Sequence, residues 1–414
     1  MVNNEKINFL CIIDSFPPAG MQSGIRILEL SKRLVEKNII PIILTQTITI
    51  HSNLNYSLIK EIPSSLNIYR NLFPESKNRY VLFIRNFLFR FYFYLKWMPF
   101  LFLRVKKILR KNEDIKFIYA SGPSFFTHII GYLLKLKFKL PLVVEYRDPW
   151  SFNPYIDVNS HSIEKKIDLK IETKILKSSD ILITISSALK KLLKKKFPFI
   201  KNKPIFSIPH GMNLSTHDLQ YKKKPQELIF TFTGTLYEKR SINPLLRIIS
   251  KLKNEDFFRN LKFILKIYGN YPKKNLEIIV EELNIKDLIF MGDLIPRAKA
   301  IQEIYRSDLA IHIGENLNYP TIAFKVWDYL SCKKKILYLG REDSYTAQFL
   351  KKNEFGITIP LENLNKGKII LKNLLNDIIN NNINTNIEDN LINKFTWDNR
   401  ANKFIIKVVN KFMK

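Results

Sequence analysis

The sequence predicts an α/β fold made of two Rossmann-like halves, each with a parallel sheet covered by helices. Short apolar runs alternate with helical patterns along the 414 residues, and this alternation is typical of parallel sheets. A polar and basic stretch over residues 211–226 interrupts the apolar runs, which then start again. The length and the 46% hydrophobic content suit two ordinary domains. A cleft between the halves is the expected ligand site.

The individual strands are predicted from the apolar runs. In the first half, a helix over residues 24–36 follows the first run and another helix begins at Phe125. The runs of this half are INFLCIID, IIPIILTQ, IKFIYAS, LPLVVEYRD, DILITIS and PIFSIPHG. Those of the second half are LIFTFTG, LKFILKIYG, LIFMGD, LAIHIG and KILYLG. Because α/β proteins bind ligands at the carboxyl ends of their strands, the residues after each run are the site candidates.

The composition is strongly basic. Lysine and arginine total 67 against 37 acidic residues, a net charge of +30. This excess fits anionic partners or a coding bias toward Lys, Asn and Ile, and the run NDIINNNINTNIEDN favours bias for part of it. A nucleic-acid-binding protein would add a recognisable reading module, which we do not find, so no nucleic-acid partner is expected. Cys11 and Cys332 encode neither a disulfide framework nor a zinc site.

The most informative segment of the second half surrounds Lys325. This lysine lies three residues before Asp328 at the start of an amphipathic helix, so the two side chains share a face. The helix lies between two buried strands, and a helix start in that position is where α/β folds bind phosphorylated ligands. The pattern indicates a nucleotide-sugar site.

A second phosphate-binding pattern occurs in FTGTLYEKRSINPLL. Gly234 ends a strand there, and Lys239 and Arg240 precede a helix, where a guanidinium and backbone amides can hold a diphosphate. Arg240 is the preferred ligand, although basic residues in so basic a chain can also be simply solvated. Gly269, at the end of the next predicted strand, is a further position of close approach.

The first half carries two candidate loops. In DSFPPAGMQSG, Gly20 and Gly24 would let a ligand approach the backbone at a helix start, and an ordinary turn is the alternative. Arg147 and Asp148 end a buried strand, where Asp148 can accept a hydrogen bond from an acceptor hydroxyl or cap the turn together with Arg147.

These blocks resemble, in the same order, segments of GT-B glycosyltransferases of the family 4-like group. The similar segments are the PPAGMQSG loop, ASGPSFFTHIIGYLLKLKFKLPLVVEYRDPW and AFKVWDYL. The resemblance implies a GT-B fold, with two Rossmann-like domains facing a central cleft. It also implies retaining transfer of a sugar from a nucleotide-sugar donor, without a metal or another cofactor and without a catalytic nucleophile.

The same resemblance implies roles for the candidate residues. Arg240 and Lys325 would stabilise the leaving diphosphate, Asp328 would accept hydrogen bonds from the ribose diol, and His128 would face the transferred sugar. One departure concerns the family's two acids, because the first would fall at Pro320 and the second is an aspartate instead of a glutamate. Glu315 is a possible substitute for the first acid, and a solvated loop carboxylate is the alternative.

The family pattern also implies domain boundaries. We expect an acceptor-binding domain over residues 1–212, a donor domain over 213–395, and a C-terminal helix over 396–414 that packs back toward the first domain. Trp397 would anchor that helix. The acceptor would be a lipid-linked or growing cell-surface polysaccharide.

An aromatic, basic insertion occupies about residues 80–111. On a helix from Tyr80 to Lys96, the polar residues gather on one side and leave a broad aromatic face; they are Arg85, Asn86, Arg90 and Lys96. The charges leave no apolar run long enough to cross a bilayer. The pattern predicts an interfacial helix on anionic lipid, and packing on the domain core is the alternative. With no secretory signal recognised, we expect a cytoplasmic protein, peripheral on the inner face of the plasma membrane.

Two other activities fit the same fold. A nucleotide-sugar epimerase would use carboxylates in the cleft and ignore acceptors. A catalytically silent subunit would bind nucleotide without turnover, and the missing first acid favours this second alternative.

Overall fold

The computed structural model describes residues 6–48, 54–70, 90–112, 114–154, 163–214, 227–237, 240–314 and 319–413. Contacts divide the chain into two compact units. Unit 1 comprises Met1–Gly211 and Trp397–Lys414, and unit 2 comprises Met212–Thr396. The boundaries expected from the sequence fall after residues 212 and 395.

Unit 1 contains a seven-stranded parallel sheet. Its strands are β1 (Ile7–Ile12), β2 (Ile39–Thr45), β3 (Ile68–Arg70), β4 (Ile115–Gly122), β5 (Leu142–Tyr146), β6 (Ile181–Thr184) and β7 (Ile205–Ser207). They are ordered β3-β2-β1-β4-β5-β6-β7. Leu10 and Ile12 of β1 belong to one apolar cluster, whereas Phe9 and Cys11 belong to another. The strand is therefore buried on both faces, as expected of a central parallel strand.

The helices of unit 1 before its last segment are α1 (Gln22–Val35), α2 (Arg90–Lys111), α3 (Phe126–Phe138), α4 (Ile163–Ser178) and α5 (Ser187–Lys196). Ser186, directly before α5, is the N-cap of this helix. Its hydroxyl accepts a hydrogen bond from the Leu189 amide at 2.9 Å.

Unit 2 contains a six-stranded parallel sheet. Its strands are β8 (Glu227–Thr233), β9 (Lys262–Tyr268), β10 (Ile289–Gly292), β11 (Leu309–Ile313), β12 (Ile336–Leu339) and β13 (Gly356–Ile359), ordered β10-β9-β8-β11-β12-β13. Its helices are α6 (Asn243–Lys253), α7 (Lys273–Glu282), α8 (Arg297–Arg306), α9 (Phe324–Ser331), α10 (Tyr345–Lys352), α11 (Leu364–Ile379) and α12 (Asp389–Asn393).

The last helix, α13 (Trp397–Lys407), lies in unit 1. The Phe404 ring centroid is 6.0 Å from that of Phe9 and 5.4 Å from that of Tyr119. Trp397 is buried, and a Cβ atom on Gly211 would lie 2.6 Å from its ring, so the glycine is what lets the indole pack against this turn. The helix therefore covers part of the unit 1 sheet.

Part of the aromatic insertion lies outside the described residues. The described helix α2 begins at Arg90, so most of the helix expected from Tyr80 to Lys96 is not covered. Met98, Leu101 and Val105 of α2 are buried, whereas Phe100 and Leu103 are 61% and 62% exposed. Within the residues that the structure describes, no helix combines the length and the apolar character needed to cross a membrane.

The strand orders define where each sheet can bind a ligand. In each unit the chain fills one side of the sheet first and then crosses to the other side, so the direction of winding switches between β1 and β4 and again between β8 and β11. The loops that leave such a pair of strands diverge and open a crevice at their carboxyl ends. Each unit thus has one topological switch point.

Candidate functional site

The switch point of unit 2 is shaped by two glycines. Gly234, directly after β8, has a φ of +141°, and Gly269, directly after β9, has a φ of +146°. The Gly234 amide donates to the Tyr268 carbonyl at 2.9 Å. A Cβ atom on Gly269 would lie 1.7 Å from the Gly234 carbonyl oxygen, so the two loops can meet only without a side chain there. Gly269 was predicted as a position of close approach, and Gly234 as the end of a strand in the diphosphate-binding segment.

Lys325 extends to the end of β8 from the first turn of α9. Its Nζ donates to the Thr233 carbonyl at 3.2 Å and lies 5.1 Å from the Phe232 ring centroid. A Cβ atom on Gly234 would lie 2.2 Å from this Nζ, so the glycine leaves the space that the ammonium fills. Burial, together with the nearby Arg240 charge, lowers the pKa of Lys325 to about 8. An anion bound beside it would stabilise the charged form.

Arg240 follows a tight turn after β8. Its amide donates to the Tyr237 carbonyl at 2.7 Å, and its guanidinium carbon lies 5.3 Å from the centroid of the Tyr237 ring. The electrostatic influence of Arg240 on Lys325 indicates that the two cations share one region of unit 2. Lys239, the other basic residue predicted here, lies outside the described residues, as does Glu315.

Asp328 lies one turn after Lys325 on α9 and already has a cationic partner. Arg297 of α8 donates to both of its oxygens, from Nη2 at 2.5 Å and from Nε at 3.3 Å. Burial raises the pKa of Asp328, although the Arg297 guanidinium opposes the rise. The carboxylate is therefore held in one orientation with its remaining lone pairs available to a diol. Arg297 was not recognised from the sequence.

His312 of β11 is a second residue that the sequence analysis did not single out. It is 3% exposed, and its Nδ1 has no hydrogen-bond partner among the described residues. Burial and the charges of Lys325 and Arg240 lower its pKa well below the ordinary value, so this imidazole is neutral. The sequence shows His312 only as one polar residue inside the apolar strand run LAIHI, and this pattern does not indicate a binding role.

The two glycines predicted in unit 1 lie in the loop after β1 and in the first turn of α1. Gly24 is buried in α1, and a Cβ atom there would lie 3.0 Å from the Ser15 carbonyl oxygen. Its lack of a side chain thus serves the packing of α1 on its own loop. Gly20 is half-buried in that loop.

His128 lies in the interior of unit 1. Its ring is fully buried between Phe125, Tyr146 and Trp150, and Nε2 donates to the Glu145 carbonyl at 2.9 Å. Burial lowers its pKa to about 3. The preceding Gly122 loop and the aromatic rings enclose the imidazole, and its role toward a transferred sugar stays a prediction. A first-turn position on a helix does not reveal which way the side chain points.

Arg147 and Asp148 lie at the carboxyl end of β5. The Arg147 guanidinium donates to the Gly122 carbonyl at 2.7 Å and to the Pro123 carbonyl at 2.6 Å, and its Nη2 is 3.8 Å from Asp14. It therefore fixes the loop after β4 beside the loop after β1. Asp148 is half-buried at the next position.

A buried ion pair stabilises the same region. Arg26 of α1 donates from Nη2 to Glu145 of β5 at 2.6 Å and to the Ile208 carbonyl at 2.8 Å. Ser121 donates to the other oxygen of Glu145 at 2.7 Å. Burial alone would raise the pKa of Glu145, but the Arg26 charge outweighs it and holds that pKa below the ordinary value. These partners lie 119 residues apart in the chain, so no local pattern could reveal them.

The described residues were considered as possible metal ligands. Among them, no group of three or more His, Cys, Asp or Glu side chains is placed to hold a metal ion. Cys11 and Cys332 are both buried free thiols.

Comparison with protein families identifies the enzyme class. Residues 24–216 match the family model described as Glycosyltransferase Family 4. Over these residues the chain carries a glycosyltransferase family 4 domain. The enzyme transfers a sugar from a nucleotide-sugar donor with retention of configuration, which confirms the activity expected from the motifs. No curated protein sequence matches the chain.

Solved structures share the fold of the glycosyltransferase at low sequence identity. Anabaena HepE in complex with UDP has a TM-score of 0.65 and 13% identity, covering 98% of this chain and 100% of its own. Sucrose-phosphate synthase from Thermosynechococcus elongatus has a TM-score of 0.63 and 15% identity over 98% and 99% of the two chains. The lipopolysaccharide outer core galactosyltransferase WaaB has a TM-score of 0.60 and 10% identity over 98% and 100%. The predicted GT-B fold is confirmed.

Proposed function

We propose that the enzyme holds the diphosphate of its donor at the switch point of unit 2, with Lys325 and Arg240 as the cationic ligands. The observation that carries the proposal is the half-buried Lys325 ammonium at the end of β8, whose pKa is lowered to about 8 by burial and by Arg240. Two cations in one partly buried region repel each other, and a diphosphate would turn that repulsion into attraction. The α9 N-terminus, which has no side-chain cap, adds backbone N–H donors.

The same arrangement suits sugar transfer. As the bond between the sugar and the diphosphate breaks, negative charge grows on the leaving oxygen, and cations already in place stabilise it without rearrangement. We propose that this pair performs the task without a metal. The acceptor hydroxyl attacks from the face that the diphosphate leaves and gives its proton to the leaving phosphate oxygen, so no protein nucleophile takes part.

The ribose and the acceptor have separate candidates. Asp328, oriented by Arg297, would accept hydrogen bonds from the ribose diol. Lys239 would add charge near the diphosphate.

In unit 1, Asp148 would accept a hydrogen bond from an acceptor hydroxyl. Arg147, Gly20 and Gly24 would shape that surface. His128, whose Nε2 donates to the Glu145 carbonyl, would face the transferred sugar.

The acceptor is proposed to be a lipid-linked or growing cell-surface glycan, processed at the inner face of the membrane. Supporting features are the aromatic, basic insertion and the exposed Phe100 and Leu103 of α2. Basic residues follow them on the same helix, at Lys106 and Lys107. Such a surface suits anionic lipid.

A transfer assay tests the proposal. The purified enzyme is incubated with a panel of nucleotide sugars and of lipid-diphosphate-linked saccharides, and products are read by mass spectrometry and by the anomeric proton coupling. One donor is expected to give a glycoside of retained configuration. Arg240→Ala should lose most of the turnover, whereas Arg247→Ala, an exposed arginine on α6, should keep it. Equal turnover in the two variants would contradict the assignment of Arg240. Epimerisation of the donor without an acceptor would replace transfer by the epimerase alternative.

A further inference from the structure

A basic groove lies in unit 1, away from every residue assigned above to the reaction. It is a concavity of about 560 Å³ formed by α5, β7 and α13. Four lysines line it, namely Lys190, Lys191, Lys194 and Lys403. Phe206 forms part of its wall, and Lys407 lies 5.9 Å from the centroid of that ring. The volume falls within the range of ordinary small-molecule sites.

The positive charge of this groove is not balanced by the protein. Among the described residues, no carboxylate lies within salt-bridge distance of any of the four lysines, although many other surface lysines of the chain are paired. The charges also disturb one another. Burial and the nearby Arg400, Lys407 and Lys190 lower the pKa of Lys403, and burial and Lys194 lower the pKa of Lys190. Folding therefore holds several ammonium groups together at an electrostatic cost.

Backbone contacts orient two of these ammonium groups. Lys190 Nζ donates to the Ile205 carbonyl at 2.6 Å, and Lys194 Nζ donates to the Lys201 carbonyl at 3.1 Å. Each ammonium has three N–H donors, so one such bond fixes its position and leaves others for a ligand. Oriented lysines around a concavity differ in this respect from lysines that are only solvated.

We propose that this groove binds the phosphate of a phosphate-bearing ligand through the ammonium groups of Lys190, Lys191, Lys194 and Lys403. A phosphate carries up to two negative charges on a compact set of oxygens, which several lysines can approach from different sides. A single carboxylate offers one charge and would leave most of the repulsion in place. The ligand is either a soluble phosphate compound or a lipid headgroup, since both present the same group.

Lysine footprinting with inorganic pyrophosphate tests the site residue by residue. The full-length enzyme is acetylated briefly with and without pyrophosphate, and each lysine is quantified by mass spectrometry. At about ten times the dissociation constant, only about a tenth of the grooves stay empty, so modification of Lys190 and Lys403 should fall about tenfold. Lys195 and Lys196, exposed on the same helix outside the groove, should not change. Equal protection of the groove lysines and of Lys195 and Lys196, or protection of none of them, would overturn the proposal. Any protection of Lys325 reports separately on the donor site.

Matched variants give an independent check. Lys191→Gln, Lys194→Gln and Lys403→Gln together remove three groove charges, and Lys195→Gln, Lys196→Gln and Lys201→Gln together remove three charges outside it. The first triple should lose the protection of Lys190 and the second should keep it, with both melting like the parent enzyme. Equal protection of Lys190 in the two triples would refute the groove.

Binding to lipid vesicles distinguishes a lipid headgroup from a soluble phosphate compound as the ligand. If binding to phosphatidylglycerol vesicles falls only in the groove triple, the ligand is a lipid headgroup. If both triples bind the vesicles like the parent while pyrophosphate protection is lost in the groove triple, the ligand is a soluble phosphate compound.

Discussion

Lys325 carries its charge where charge is costly. A buried ammonium loses hydration, and here it also faces Arg240, so its pKa falls to about 8. The neutral His312 beside the pair adds no further charge to the region. A bound donor diphosphate would offset the repulsion between Lys325 and Arg240. Part of the binding free energy would then come from removing an unfavourable interaction of the free enzyme.

The lowered pKa predicts how donor affinity depends on pH. Below about pH 8 Lys325 is charged and ready to bind a diphosphate, whereas above it the free enzyme must first take up a proton. The dissociation constant for a nucleoside diphosphate should therefore be nearly flat from pH 7 to 8. It should then rise toward about tenfold per pH unit. Titration calorimetry measures this directly.

Lys325→Arg provides the control for the pH profile. Arginine stays charged over the whole range, so its dissociation constant should not rise above pH 8. The same rise in both proteins would show that another group titrates.

Individual site residues differ in how far a sequence can reveal them. Lys325, Arg240 and Gly234 were identified because each lies directly after an apolar strand or at a helix start. Arg297 and His312 were not, because their roles depend on packing between elements distant in the chain. The direction of the His128 side chain is also a tertiary property, so the sequence could not reveal it.

The elements around the donor site depend on backbones meeting closely. Gly269 has a positive φ, and its Cα approaches the Gly234 carbonyl so closely that no side chain fits. The loops after β8 and β9 thereby support each other at the edge where Lys325 reaches β8.

Gly269→Ala should consequently be strongly destabilising. The new Cβ would collide with backbone, not with a movable side chain, and the residue would also keep an unfavourable φ. We expect a loss of about 2–4 kcal/mol in the free energy of unfolding, measured by urea denaturation. A Cβ atom on Gly367 in helix α11 would instead meet two side-chain atoms, Ile248 Cδ1 at 2.9 Å and Ile359 Cγ2 at 3.0 Å, so Gly367→Ala should cost clearly less than Gly269→Ala. Similar losses in both variants would refute the role of the close approach.

Helix α2 carries the test of membrane association. Phe100→Ser with Leu103→Ser removes two exposed apolar side chains, so co-sedimentation with anionic vesicles should fall severalfold. Leu294→Ser with Ile369→Ser removes equally exposed side chains elsewhere and should leave it unchanged. If both double variants bind vesicles like the parent, α2 is not the contact surface.

Most strands were predictable because they are continuous apolar runs. The exceptions were β3 and β13, of three and four residues. Both are half-buried edge strands, and sequences such as IYR and GITI are too short and too mixed to separate from loops. Their pairing with a longer neighbour, a tertiary effect, creates them.

At the scale of the molecule, both units have a topological switch point, but different residues lie at it. Each sheet switches its winding direction once, and the loops at that point carry the polar side chains. In unit 1, Arg26 pairs with the Glu145 carboxylate, and Arg147 donates to the Gly122 carbonyl. In unit 2 Lys325 and Arg240 place two cations in one region, which is where we propose that the donor diphosphate binds.

The most direct test is a thermal-shift screen of the enzyme against nucleoside diphosphates, compared with Lys325→Ala and with Lys299→Ala, an exposed lysine on α8. A ligand that binds only the folded state at about a hundred times its dissociation constant stabilises it by about 2.7 kcal/mol, which raises the melting temperature by several degrees. We predict such a rise for one nucleoside diphosphate in the parent and in Lys299→Ala, and its loss in Lys325→Ala. An equal rise in all three proteins would contradict the assignment of Lys325 to the donor diphosphate.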